Sequence, residues 1–244
     1  MISKFQKVYD KKTQTYKFKK VWPFWLDLIV TLFAAAVIAV VVNLYVLEPF
    51  WIPSGSMRAT LEVDDKIWVE KIGVKLNGVH KGDVVVFKDP GDWMGPAISK
   101  EESQTAAGLL GWLGFENSDN TEYLVKRVIG TEFDRVKCAG PGFPIEVNGV
   151  AVDEPYIFEG QTPSEVPFDV EVPKGMIWVM GDNRGNSKDS RFHADAEYKG
   201  FVPVDDVVGD VVFRFAPWDR FGLFPDYHSS FAQVPVPSQL ALGS

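Results

Sequence analysis

The longest apolar run in the chain is Trp25 to Leu47, WLDLIVTLFAAAVIAVVVNLYVL, interrupted only by Asp27, Thr31 and Asn43. Leu28 to Leu47 alone is 20 residues, which as a helix reaches about 30 Å, the thickness of a hydrocarbon core. A single segment in lipid must satisfy its backbone internally, so helix is the one form open to it. A cleaved secretory signal has a shorter apolar stretch followed by small residues. Here Ala34, Ala35 and Ala36 sit mid-run, and the segment reads as an uncleaved anchor over 25–47. A buried core helix would rarely be apolar on every face for so long.

Past residue 50 the pattern changes to short β-branched runs between turn signals. Strands are predicted at Lys66–Ile72, Val84–Phe87, Tyr123–Ile129, Ile145–Val147, Met176–Met180 and Val207–Phe215. Asn148-Gly149 is a two-residue hairpin signal. Helical periodicity is scarce outside the anchor, so the fold class is mainly β: one transmembrane helix followed by an antiparallel β domain. That domain is placed at 48–217, after a basic segment at 1–24. Residues 91–121 read as a loop insertion whose apolar middle, 106–115, either dips into lipid headgroups or forms a local surface cluster. In the tail, 218–244, Trp218, Phe221, Phe224 and Tyr227 could face an interface or pack on the body, and the chain after Ala232 reads as disordered.

Charge sharpens this picture. Net charge is −8, yet residues 1–24 carry seven lysines against the single acid Asp10. Positive-inside reasoning puts that end in the cytoplasm and everything after Glu48 outside. From residue 51 onward there are 18 basic and 30 acidic residues, a balance that argues against a nucleic-acid partner. The single cysteine, Cys138, excludes an internal disulfide and a CxxC metal site and reads as a small buried hydrophobe.

Three polar segments carry the candidate chemistry. Phe50-Trp-Ile-Pro-Ser-Gly-Ser-Met57 lies just after the anchor, with Ser56 nine residues beyond Leu47. Tyr123-Leu-Val-Lys-Arg-Val-Ile-Gly130 puts Leu124, Lys126 and Val128 on one strand face and Val125, Arg127 and Ile129 on the other. An inward Lys126 between aliphatic residues would lose proton affinity through desolvation and become a general base. Strand parity alone does not decide whether Lys126 or Arg127 faces in. Gly181-Asp-Asn-Arg-Gly-Asn-Ser-Lys-Asp-Ser-Arg191 is a polar loop, which by itself reads as a solvated turn.

In this order behind an N-terminal anchor, the three segments resemble the defining motifs of the type I signal peptidase family. The resemblance covers roughly residues 25–215 and gains specificity because three motifs agree with each other and with topology. It implies Ser56 as nucleophile and Lys126 as base, with Ser187 orienting the amine. Ser54, with the Ser56 N–H, would form the oxyanion hole. Arg127, Asp182, Asp189 and Arg191 match structural ion pairs, and Ile52, Met57, Leu61, Leu124 and Val125 fall where the family lines substrate pockets for small residues. Residues 138–175 would form an inserted smaller β subdomain. The implied partners are signal peptides of preproteins emerging from the secretion translocase, and the lipid bilayer of a bacterial cell membrane. No cofactor or metal is implied. The chain departs from the family at Thr131-Glu-Phe-Asp134, where Leu-Pro-Gly-Asp is usual, and at Ala59, where Pro is common.

Other chemistries find less support. His80, His193 and His228 could serve a Ser–His–Asp triad, but no nucleophile elbow accompanies them. There is no HExxH and no phosphate-binding GxxxxGK[ST]. An anchored β module that binds peptides or cell-wall material without cutting stays open, as does a Ser–Lys protease dedicated to one precursor.

Overall fold

The computed structural model describes residues 4–10, 15–21, 23–91, 93 and 123–237. Contacts divide the chain into two units, Met1–Tyr45 and Val46–Ser244. In the first, strands β1 (Lys4–Asp10) and β2 (Thr15–Val21) form an antiparallel hairpin, with Lys4 opposite Val21 and Asp10 opposite Thr15. The hairpin is unexpected from the sequence, which marks 1–24 only as a basic segment. Helix α1 (Phe24–Tyr45) follows. Its stretch Phe24–Val42 is long and apolar enough to cross a membrane, and none of that stretch is buried. The helix stops two residues short of the expected Leu47, because Leu47 already belongs to a sheet.

The second unit is built on a large antiparallel sheet and a small one. Its elements are β3 (Leu47–Trp51), β4 (Lys66–Glu70), the short helix α2 (Ile72–Asn77), β5 (Val84–Lys88) and β6 (Tyr123–Gly130). Next come β7 (Arg135–Cys138), β8 (Glu146–Val147), β9 (Val150–Ala151), β10 (Phe168–Glu171) and β11 (Met176–Met180). Last are β12 (Val202–Pro203), β13 (Val207–Ala216) and β14 (Gly222–Leu223). The large sheet runs β12–β11–β6–β5–β13–β4–β3, with β14 paired to β13; the small sheet runs β10–β7–β8–β9. The small sheet therefore opens at Arg135, three residues earlier than the expected 138.

Strand β6 sits inside the large sheet between β5 and β11 and is buried on both faces. Leu124 and Val128 pack with Val85, Phe87, Ile177 and Val179, while Ile129 joins the cluster of the small sheet with Val136, Cys138 and Val147. Cys138 is buried and free, as expected of a small hydrophobe. Asn148 and Gly149 both take positive φ, 52° and 81°, the signature of the tight hairpin turn between β8 and β9.

In the tail the two readings left open for the aromatic residues divide between them. Trp218 and Phe221 are exposed and stack on each other, whereas Phe224 and Tyr227 pack on the body. The disorder expected after Ala232 does not hold for residues 233–237: Val234 joins Phe231 in the core of the small sheet, and Asn148 Nδ2 donates to Pro235 O at 2.9 Å. The apolar stretch 106–115 lies outside the described residues.

Candidate active site

The turn after β3 carries Ser56 to the middle of β6. Lys126 Nζ donates to Ser56 Oγ at 2.9 Å and to the Val125 carbonyl at 2.9 Å. Lys126 is 3% exposed. Desolvation pulls its pKa from 10.5 to about 8, and the nearby carboxylates Asp189 and Asp182 only partly resist. Both carboxylates are engaged by arginines, so Lys126 has a hydroxyl and a carbonyl as partners rather than an acid. The question of which neighbour faces inward resolves as both: Arg127 is 1% exposed, because β6 lies in the sheet interior.

Around the ion pairs, the three motif segments are stitched together. Arg127 Nε and Nη2 donate to Asp182 Oδ1 and Oδ2 at 2.8 and 2.7 Å, and Arg127 Nη1 donates to Gly82 O at 2.8 Å. Thr60 Oγ1 donates to Asp182 Oδ2 at 2.5 Å and accepts from Arg127 Nη2 at 3.1 Å. Arg191 grips Asp189 at 2.8 Å through Nε and at 2.8 Å through Nη2, and Asp189 Oδ2 also accepts the Gly181 N–H at 2.9 Å. Those bonds hold the Asp189 carboxyl below its usual range against the opposing pull of burial. Gly181 has to be glycine on space alone: a Cβ there would strike Ser187 Oγ and the Ser56 carbonyl.

The remaining expected residues divide. Ser54 Oγ lies 3.3 Å from Ser56 Oγ on the exposed side of the turn. Ser187 is buried beside the site, but it does not bond the amine. Its hydroxyl lies near enough to help lower Asp189 and, among the described residues, makes no hydrogen bond of ordinary geometry. The second bond of Lys126 goes to the Val125 carbonyl instead, because the amine lies against its own strand. Of the five pocket candidates, Ile52, Met57, Leu61 and Leu124 are core members with 7% exposure or less. Val125 alone keeps partial exposure. Ala59 takes φ 89°, a left-handed value that a proline ring forbids.

Sequence reasoning missed five residues that shape the site, Thr60 and four more. Arg184 is buried and pairs with Glu154, Nη2 donating to Oε1 at 2.5 Å, and its Nε donates to Gly181 O at 3.0 Å. Asn183 and Gln161 join the backbone of the nucleophile turn to the segment before β10. The adjacency of Arg184 and Asn183 to Asp182 was a signal; nothing local marked Glu154 or Gln161. Among the described residues, Ser56 Oγ bonds Lys126 and Ser54, while His193 stacks on Trp93 and His228 bonds Asp83 and Asp226. Also among them, no group of three or more His, Cys, Asp or Glu is placed to hold a metal ion.

Comparison with known proteins finds the following similarities. "Probable signal peptidase I-1" of Synechocystis sp. is 34% identical over 222 residues, covering 88% of this chain and 92% of its own. The signal peptidase I of Mycobacterium tuberculosis is 34% identical over 212 residues, 78% of this chain and 71% of its own. A crystal structure of a signal peptidase I from Enterococcus faecalis aligns over 54% of this chain and 95% of its own, at 22% identity and a TM-score of 0.34. The family model described as "Signal peptidase, peptidase S26" matches residues 25–218, a span that holds the Ser56–Lys126 contact and every ion pair around it, and by that match the chain belongs to the signal peptidase family of serine peptidases.

Proposed function

We propose that this chain is a membrane-anchored endopeptidase that removes N-terminal signal peptides from exported preproteins, with Ser56 as nucleophile and Lys126 as general base. The observation that carries this reading is the 2.9 Å contact between Ser56 Oγ and an amine that burial has drawn to about 8. A serine hydroxyl is a poor nucleophile until a nearby base takes its proton. Once Lys126 is neutral, the same contact runs in reverse, with the hydroxyl donating to the nitrogen lone pair. Ser56 Oγ then attacks the scissile carbonyl as its proton moves to Lys126 Nζ. The oxyanion is held by Ser54 Oγ–H and the Ser56 N–H. As the C–N bond breaks, the Lys126 ammonium protonates the leaving amine. Water next attacks the ester carbonyl, losing its proton to Lys126, and as the acyl C–O bond breaks the Lys126 ammonium returns that proton to Ser56 Oγ, freeing the hydroxyl and the signal peptide.

Arg127–Asp182 and Arg191–Asp189 serve as the frame that keeps the amine free of an acid partner. Ser187 supports that frame through Asp189, and Val125 is the pocket residue left open to a substrate side chain. The other four candidates, Ile52, Met57, Leu61 and Leu124, back the pocket wall from behind. Helix α1 anchors the enzyme once through the bilayer, with the lysine-rich end cytoplasmic and the catalytic unit outside, where preproteins emerge from the translocase.

The test is preprotein cleavage by the full chain in reconstituted membranes, comparing wild type with Ser56→Ala and Lys126→Ala. Release of a mature product by wild type and by neither variant is the expected result. Equal cleavage by all three would return the chain to the alternative of a tethered binding module. Several unrelated preproteins in parallel separate a general enzyme from one dedicated to a single precursor.

A further inference from the structure

The Ser56 N–H shares one peptide plane with the Gly55 carbonyl. A trans peptide points these two groups in opposite directions, so whatever fixes the carbonyl aims the N–H. Asn183 Nδ2 donates to Gly55 O at 2.7 Å, and the Asn183 backbone N–H donates to Ser56 O at 3.0 Å. The Arg58 N–H also reaches Gly55 O, at a longer 3.3 Å. Asn183 thus holds the peptides on both sides of the Ser56 α-carbon.

Asn183 is itself held. Gln161, on the segment between β9 and β10, donates through Nε2 to Asn183 Oδ1 at 2.5 Å and accepts the Gly185 N–H through Oε1 at 2.8 Å. Backbone groups fix both ends of this relay: the Gly185 N–H can only donate and the Gly55 carbonyl can only accept. Each amide therefore has one orientation that satisfies its neighbours. A flipped Gln161 would set NH2 against N–H and would drive Asn183 to turn its oxygen toward the Gly55 carbonyl. Asn183 is buried, Gln161 half-buried, and the Phe158 N–H bond to Asp182 O at 2.9 Å ties the same segment to the loop.

We propose that Gln161 is a positioning residue which, through Asn183, locks the Gly55–Ser56 peptide so that the Ser56 N–H points at the developing oxyanion. The proposal rests on the reading of Ser56 as nucleophile. It gives the segment joining the small sheet's strands a role in the chemistry of a turn more than 100 positions away. The bond to the carbonyl also polarises the peptide and strengthens its N–H as a donor.

The experiment is steady-state cleavage of a preprotein by the full chain, in Gln161→Met, Asn183→Ala and the double variant, beside wild type and Ser56→Ala. Gln161→Met keeps length and removes both hydrogen bonds. Its kcat is expected to fall about 10- to 100-fold, as for misplaced catalytic groups. KM, melting midpoint and the pH at which the rate limb turns are expected to stay as in wild type. Because Gln161 acts through Asn183, the double variant should be no slower than the slower single variant. Unchanged kcat in Gln161→Met, a loss carried by KM or by melting, or multiplicative losses in the double variant would each overturn the proposal. If wild type proves no better than Ser56→Ala, the protease reading itself fails and this proposal with it, a result distinct from full activity in Gln161→Met.

Discussion

Asp182 takes two N–H groups of Arg127, at 2.8 and 2.7 Å, with neither residue more than 1% exposed. Thr60 closes the triangle from the nucleophile turn. One ion pair thus ties the strand of the base, the turn of the nucleophile and the polar loop. Removing one member of such a pair leaves an uncompensated buried charge, which typically costs about 3–5 kcal/mol. Asp182→Ala is expected to lose stability on that scale, and Asp182→Asn less, since the amide keeps one acceptor for the guanidinium. Urea unfolding of the full chain in detergent measures both.

The amine next to that pair sets a pH dependence. Lys126 is lowered from 10.5 to about 8 by burial. Activity should therefore rise about ten-fold per pH unit below 8 and level off above it, as the neutral base fills. The stability consequence has the same sign. Between about 8 and 10.5 the unfolded lysine binds a proton that the folded one has released, so stability increases with pH across that window. Below 8 the fold bears the full cost of a buried ammonium, about 3 kcal/mol. Lys126→Met is expected to abolish cleavage while raising the melting midpoint at pH 7, and to flatten the stability profile from pH 8 upward. A variant less stable than wild type at pH 7 would show that the amine's bonds outweigh its desolvation.

Ser54 tests the other half of the chemistry. Its hydroxyl lies on the exposed side of the turn, 3.3 Å from Ser56 Oγ. A preset oxyanion donor typically contributes about 3 kcal/mol. Ser54→Ala should slow turnover about a hundred-fold, with Ser56 still open to acylation and the fold unaltered. Ser54→Thr, which keeps the hydroxyl, should recover much of the loss. Full activity in Ser54→Ala would remove Ser54 from the oxyanion hole.

The large sheet was legible where strands are long and buried on both sides. Met176–Met180 matches end to end, and Val84–Phe87 and Tyr123–Ile129 each gain one residue, Lys88 and Gly130. Lys66–Ile72 overran because Glu70 turns the chain: its carboxylate accepts the Ile72 and Gly73 N–H groups at 2.7 Å, starting α2. Arg135–Cys138 buries alternate positions and Phe168–Glu171 only half-buries them, and four residues are too short a run for periodicity to register. The same limit applies at the site. Ser56 and Lys126 stand in motifs, but no local pattern says which polar residue of the insertion will face the nucleophile turn, so Glu154 and Gln161 emerge only from tertiary contact.

Disorder after Ala232 is the expectation that residues 233–237 overturn, because Pro and small residues dominate the segment while the two anchoring side chains, Phe231 and Val234, are spaced three apart. Phe231 and Val234 pack against the small-sheet core with 6% and 9% exposure. Truncating a buried phenylalanine costs about 3–5 kcal/mol through lost transfer energy and the cavity left behind. Phe231→Ala is expected to destabilise on the low side of that range, because the site is near the surface and can relax. A melt within 1 °C of wild type, or about 0.3 kcal/mol for a unit this size, would return this segment to the status of a loose appendage.

Phe133 tests the departure from the family's turn. Asp134 closes that turn, its Oδ2 accepting the Thr131 N–H at 2.8 Å and its Oδ1 accepting Asn148 Nδ2 at 2.7 Å. Phe133 sits between them at φ 66° with its ring half exposed. In the usual Leu-Pro-Gly-Asp pattern this position is glycine, the residue that enters the left-handed region without a Cβ penalty. Left-handed backbone costs other residues about 1–2 kcal/mol, partly offset here because glycine adds freedom to the unfolded chain and forfeits the ring's contacts. Phe133→Gly should therefore gain about 0.5–1 kcal/mol net, read as a melting midpoint higher by about 2–4 °C. Phe133→Ala supplies the control, since it loses the same ring and keeps the Cβ. If strain governs the turn, the glycine variant must be the more stable of the two, and equal midpoints would show that the departure costs nothing.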